Sequence, residues 1–98
     1  MRRTRRVKLD DFDLRLIITG LHKTLEDVPA ENKYDAAELI LRLIDIDKAL
    51  KCGRKKKVSF EPEQRSHIMR SLLAWRNIVL EDDGPTEDID AMIILFSK

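Results

Sequence analysis

Two basic runs carry most of the chemistry open to this chain. Arg2, Arg3, Arg5 and Arg6 lead into Val7-Lys8-Leu9-Asp10, and Arg54, Lys55, Lys56 and Lys57 lead into Val58-Ser59-Phe60-Glu61. Arginine forks suit phosphate or carboxylate, and lysine acts as a point charge. The runs are therefore candidate contacts for the phosphates of nucleic acid or of a nucleotide signal. No aromatic side chain interleaves with these cations to stack a base, and no helix carries a basic face suited to a major groove. Both absences argue against a sequence-specific DNA reader. The plainer alternative is a solubilising tail and a solvated linker.

A second charged set has the opposite sign. Glu81, Asp82, Asp83, Glu87, Asp88 and Asp90 crowd one short stretch and form a candidate edge for a basic protein partner, as a phosphate mimic would. Helix capping and solvation account for the same residues more simply. The formal net charge is only +1, from 19 Lys and Arg against 18 Asp and Glu, so the average conceals a dipolar molecule.

Nothing else reaches the standard of a reactive site. His22 and His67 have no second histidine four residues away and no Cys/His cluster, so no metal is expected. Cys52 stands alone, cannot form an internal disulfide and fits a reducing compartment. No catalytic residue and no cofactor is predicted, and the chain reads as a non-enzyme. Lys56-Lys57-Val58-Ser59-Phe60 looks like the short motif by which eukaryotic regulators dock on type-one protein phosphatase, but such a motif must be extended and accessible, whereas Phe60 is needed beside a helix.

The elements that must position these charges are helical. Leu9, Asp10, Asp11 and Asp13 specify a helix start by staple, N-cap and first-turn acids. Leu14, Ile17, Ile18, Leu21 and Leu25 then recur at helical spacing until Val28-Pro29 ends the run. Gly20, inside that stripe, points to close approach by a neighbouring helix. A second helix of about 33–51 carries a wide apolar arc and ends at Cys52-Gly53. Pro62 opens a third with the stripe Ile68, Leu72, Trp75, Val79. Thr86 caps a short fourth containing Ile89, Met92, Ile93 and Phe96. Leu16, Leu39, Leu73 and Leu95 point off these stripes, a candidate apolar interface for a homodimer.

The expected fold is all-α, a four-helix bundle made of two helical hairpins within one domain over residues 1–98. Residues 1–8 are read as a basic mobile tail, 9–51 as hairpin one, 52–60 as a basic linker and 61–98 as hairpin two. An offset of 51, set by placing position 58 against position 7, aligns Arg6 with Lys57, Val7 with Val58, Leu9 with Phe60, Asp10 with Glu61, Ile17 with Ile68 and Leu21 with Leu72. An internal repeat would produce this alignment, and so would any two amphipathic stripes. No apolar run approaches the ~18 residues of a membrane span, and the arginine-rich start lacks the apolar core of a secretory signal. A cytoplasmic protein without membrane contact is expected.

The run Val7-Lys8-Leu9-Asp10-Asp11-Phe12-Asp13-Leu14-Arg15-Leu16-Ile17-Ile18, followed by Lys33-Tyr34-Asp35-Ala36-Ala37-Glu38-Leu39-Ile40-Leu41, resembles small uncharacterised helical proteins of phages and mobile elements of Gram-positive bacteria. The likeness covers the first hairpin, where those proteins typically stop. It implies an accessory protein of the bacterial host cytoplasm that binds and inhibits a host protein complex, including complexes of host defence. The pattern is one of core residues, so no active residue is carried over.

Overall fold

The computed structural model describes residues 4–50 and 54–97. Each half of the chain runs strand, helix, helix. β1 (Arg5–Leu9), α1 (Asp11–Lys23) and α2 (Lys33–Ala49) are followed by β2 (Lys56–Phe60), α3 (Pro62–Glu81) and α4 (Glu87–Ser97). The four helices stand as expected, but an all-α fold needs correction. β1 and β2 form a two-stranded antiparallel sheet in which Arg5 faces Phe60, Arg6 faces Ser59, Val7 faces Val58, Lys8 faces Lys57 and Leu9 faces Lys56. The segments read as a mobile tail and a linker thus contribute one strand each.

The reason lies in a period of two. In Arg5-Arg6-Val7-Lys8-Leu9 and Lys56-Lys57-Val58-Ser59-Phe60, alternate residues are apolar, which places one face of each strand inward and the other in solvent. Val7, Leu9, Val58 and Phe60 are at most 3% exposed. An isolated two-stranded sheet is marginal in water, so this one depends on the helices beneath it. Phe60 packs against Phe96 of α4 with ring centroids 5.4 Å apart in a tilted arrangement, a favoured aromatic geometry.

Helix starts follow local chemistry. Asp10 caps α1: the Asp13 backbone N–H donates to Asp10 Oδ1 at 2.8 Å, and the Asp10 N–H donates to Asp13 Oδ2 at 3.2 Å. Glu61 and Gln64 make the corresponding box at α3, where the Glu61 N–H donates to Gln64 Oε1 at 2.9 Å. α1 ends earlier than the proline predicts. The Thr24 hydroxyl donates to the Gly20 carbonyl at 2.8 Å, and two 3-10 turns, Leu25–Asp27 and Ala30–Asn32, carry the chain to α2. Cys52 and Gly53, the expected stop of α2, lie outside the described residues. Between α3 and α4 the chain turns through Asp83 at a φ of 54°. A Cβ on Gly84 would stand 2.8 Å from Val79 Cγ1, so that corner has no room for a side chain.

α1 packs on α2, α3 packs on α4, and α1 meets α3. At this last crossing a Cβ on Gly20 would lie 3.0 Å from Trp75 Cε3, the close approach that the glycine predicts. The alignment at offset 51 acquires a geometric meaning, because Val7 and Val58 face each other at the middle of the sheet. Antiparallel strands are related by a local twofold axis, which here passes between those two valines. The same offset pairs the two capping boxes in sequence, and it pairs Ile17 with Ile68 and Leu21 with Leu72, all four buried.

Candidate nucleic-acid interface

Directly opposed residues in an antiparallel pair project to the same face. With Val7 and Val58 inward, Arg6, Ser59, Lys8 and Lys57 occupy the outer face, where Arg6, Lys8 and Lys57 are exposed and Ser59 is half-buried. Two basic segments half a chain apart in sequence thereby converge on one surface. Lys8 and Lys57 stand directly across from one another, which puts their Cβ atoms about 5 Å apart. The ion pairs among the described residues are Arg15 with Asp47 and Arg76 with Asp90. No described carboxylate is within ion-pair distance of Arg6, Lys8 or Lys57. A like-charged pair directly across a sheet costs about 0.2–1 kcal/mol, so the fold tolerates a repulsion that a bound anion would relieve.

The other predicted cations have different places. Arg5 and Lys56 sit opposite Phe60 and Leu9 on the inner-face side at the two ends of the ribbon, with Arg5 half-buried. Arg54 and Lys55 are exposed just before β2. Arg2 and Arg3 lie outside the described residues. Lys8 and Ser59 share the outer face, although composition and charge density alone do not single them out. The signal that could have found them is the alternation anchored on Val7 and Val58.

Behind the ribbon, Arg42 of α2 acts as a brace. Its Nη2 donates to the Ser59 carbonyl at 2.6 Å, its Nη1 donates to Gln64 Oε1 at 3.3 Å, and its guanidinium lies 5.6 Å from the Phe60 ring centroid. One charged side chain thereby ties α2 to β2 and to the first turn of α3. The groove beside it, about 480 Å³, is bordered by Asp35, Glu38, Glu61, Glu63 and His67 as well as Arg42. Its acidic rim is the wrong polarity for phosphate.

The acidic set lies at the far end of the molecule. α3 leaves the ribbon at Pro62 and ends at Glu81, about 30 Å away for a helix of that length. Glu81, Asp82, Asp83, Glu87 and Asp88 are exposed there. Asp90 is committed internally, since Arg76 Nε donates to its Oδ1 at 2.6 Å and the Thr86 hydroxyl donates to its Oδ2 at 3.0 Å. These hydrogen bonds hold the Asp90 carboxyl below its ordinary value. At the other end, burial raises the pKa of Asp13, and the charge of Asp10 in the same capping box adds to the effect.

The apolar set is not a single open face. Leu39 is 2% exposed and belongs to the core, Leu16 and Leu95 are half-buried against it, and only Leu73, at 47%, lies open. The phosphatase-like string is closed as well, because its two anchor residues, Val58 and Phe60, are 2% and 0% exposed. Among the described residues no cluster of three or more His, Cys, Asp and Glu side chains is placed to hold a metal ion, and no helix is long and apolar enough to cross a membrane. No family model matches the chain, and neither curated proteins nor solved structures provide a match.

Proposed function

We propose that this protein is a non-enzymatic binder of double-stranded nucleic acid and that the outer face of the β1–β2 ribbon is its contact surface. The observation that carries this reading is the convergence of Arg6, Lys8 and Lys57 on one exposed, carboxylate-free strand face. A major groove about 12 Å wide admits a two-stranded ribbon as well as a helix, and strand readers of this kind form a class of their own. Arginine and lysine then serve both phosphates and guanine edges. The outer face offers no aromatic platform, which favours a paired duplex over single strands. Arg54 and Lys55 add exposed cations beyond one end, where Lys55 also acts on the Asp13 carboxyl.

A salt titration of duplex binding tests the reading. Three phosphate-neutralising cations predict a slope of log K against log salt of about −3, and five predict about −4.5. The triple variant R6Q/K8Q/K57Q should keep its helical circular dichroism and lose the binding. Absence of duplex binding by the folded wild type at low salt would sink the proposal, and binding of a mononucleotide alone would redirect it to a nucleotide signal.

A second reading is motivated by the exposed acids remote from the ribbon. Glu81, Asp82, Asp83, Glu87 and Asp88 would engage the basic surface of a host protein complex, as an inhibitory accessory protein of a phage or mobile element would. Reversal of Glu81, Asp82 and Asp83 should abolish such an association and leave duplex binding intact. An association that survives the reversal rules out the acidic edge as its basis.

A further inference from the structure

Resting on the duplex-binding reading, we infer that the ribbon recognises a site whose two halves differ. A twofold protein surface reads a palindrome, because each half of the site meets the same residues. Here the local twofold between Val7 and Val58 exchanges Arg6 with Lys57 and Lys8 with Ser59. Neither outward pair is chemically equivalent to its mate. The end where Lys8 faces Lys57 carries two point charges, whereas the end where Arg6 faces Ser59 carries one planar fork and one neutral hydroxyl.

These differences bear on readout. An arginine fork pairs with guanine O6 and N7 in fixed geometry, lysine reaches the same acceptors less rigidly, and serine makes no strong choice among bases. The half-site beneath Arg6 is therefore the more strictly specified. The half-site beneath Lys8 and Lys57 depends more on phosphate and is the more salt-sensitive. The strand register itself is symmetric about Val7 and Val58. The inequivalent outward side chains therefore meet the ligand from a symmetric strand pairing, and one bound orientation is favoured over the other.

Selection of duplexes from a random pool by the full chain tests this. The wild type should enrich a non-palindromic motif and bind it about tenfold better than either palindrome built from one of its halves. The variant K57R/S59K gives β2 the outward residues of β1 and should enrich a palindrome. R6K/K8S gives β1 those of β2 and serves the same purpose should the first variant fail to fold. A palindromic wild-type motif, or duplex binding without any enriched motif, overturns the inference and leaves the duplex reading standing. No duplex binding at all removes both.

Discussion

Replacing Lys57 by glutamate should make the free protein more stable while making it a poorer binder. Lys57 lies directly across from Lys8 on the exposed face of the ribbon. A like-charged cross-strand pair costs about 0.2–1 kcal/mol and an opposite-charged pair gains a similar amount, so the exchange is worth about 1 kcal/mol, with solvent exposure holding it toward the lower half of the range. For a domain of this size that corresponds to a rise in Tm of about 4–8 °C. Thermal denaturation at low salt and again at about 1 M salt, where the screening length falls to about 3 Å, provides the assay. The gain should be present in the first condition and gone in the second. In parallel, the salt slope of duplex binding should shrink by about 1 for the lost cation, with a further loss of affinity from the added anion. An unchanged or lowered Tm at low salt would refute the opposed-lysine geometry. A gain that persists at high salt would show that it arises from packing rather than charge.

Three further expectations concern the framework. Gly20→Val should destabilise by about 1–3 kcal/mol in urea unfolding, because a Cβ there already meets Trp75 at 3.0 Å and overpacking costs about that much. Arg42→Ala should cost about 1–3 kcal/mol by leaving the Ser59 carbonyl without its 2.6 Å donor, and amide exchange should accelerate in β2 before it does in the helices. Asp90→Asn should lower Tm at pH 7. The Asp90 carboxyl is held below its ordinary value of 3.8 by Arg76 and Thr86, so its contribution is full above that value and fades as pH falls through the depressed folded pKa. The difference between wild type and Asn variant should therefore vanish in strong acid, and a difference that stays constant with pH would exclude the ion pair as its origin.

The helices were legible because their signals are local. The Asp10 cap, Pro62 at a first turn, the Leu14-Ile17-Leu21 stripe and the Ile68-Leu72 stripe each specify structure within a few residues. Gly20 disclosed a crossing for the same reason, since a glycine inside a helix costs about 1 kcal/mol and calls for an explanation. The ribbon was not legible. Five residues with only two apolar positions cannot hold a strand alone, and β1 is stabilised by a partner half the chain away. The charge density of Arg54 to Lys57 also masked the alternation that Val58 and Phe60 carry. Leu39 was misplaced because the apolar arc of α2 is wide, and which part of a wide arc turns inward depends on neighbours rather than on spacing. A basic helix is the usual groove-reading element, whereas the basic element here is a pair of strands.

The most direct test of the account is a residue-resolved map of amide chemical-shift changes as a short duplex is added to the full chain at low salt. The ribbon account predicts the largest changes at Arg6, Lys8, Lys57 and Ser59, with lesser ones at Arg54 and Lys55 and none at Glu81 to Asp88. Changes centred on the acidic turn or on the helix surfaces, with the ribbon amides undisturbed, would contradict it.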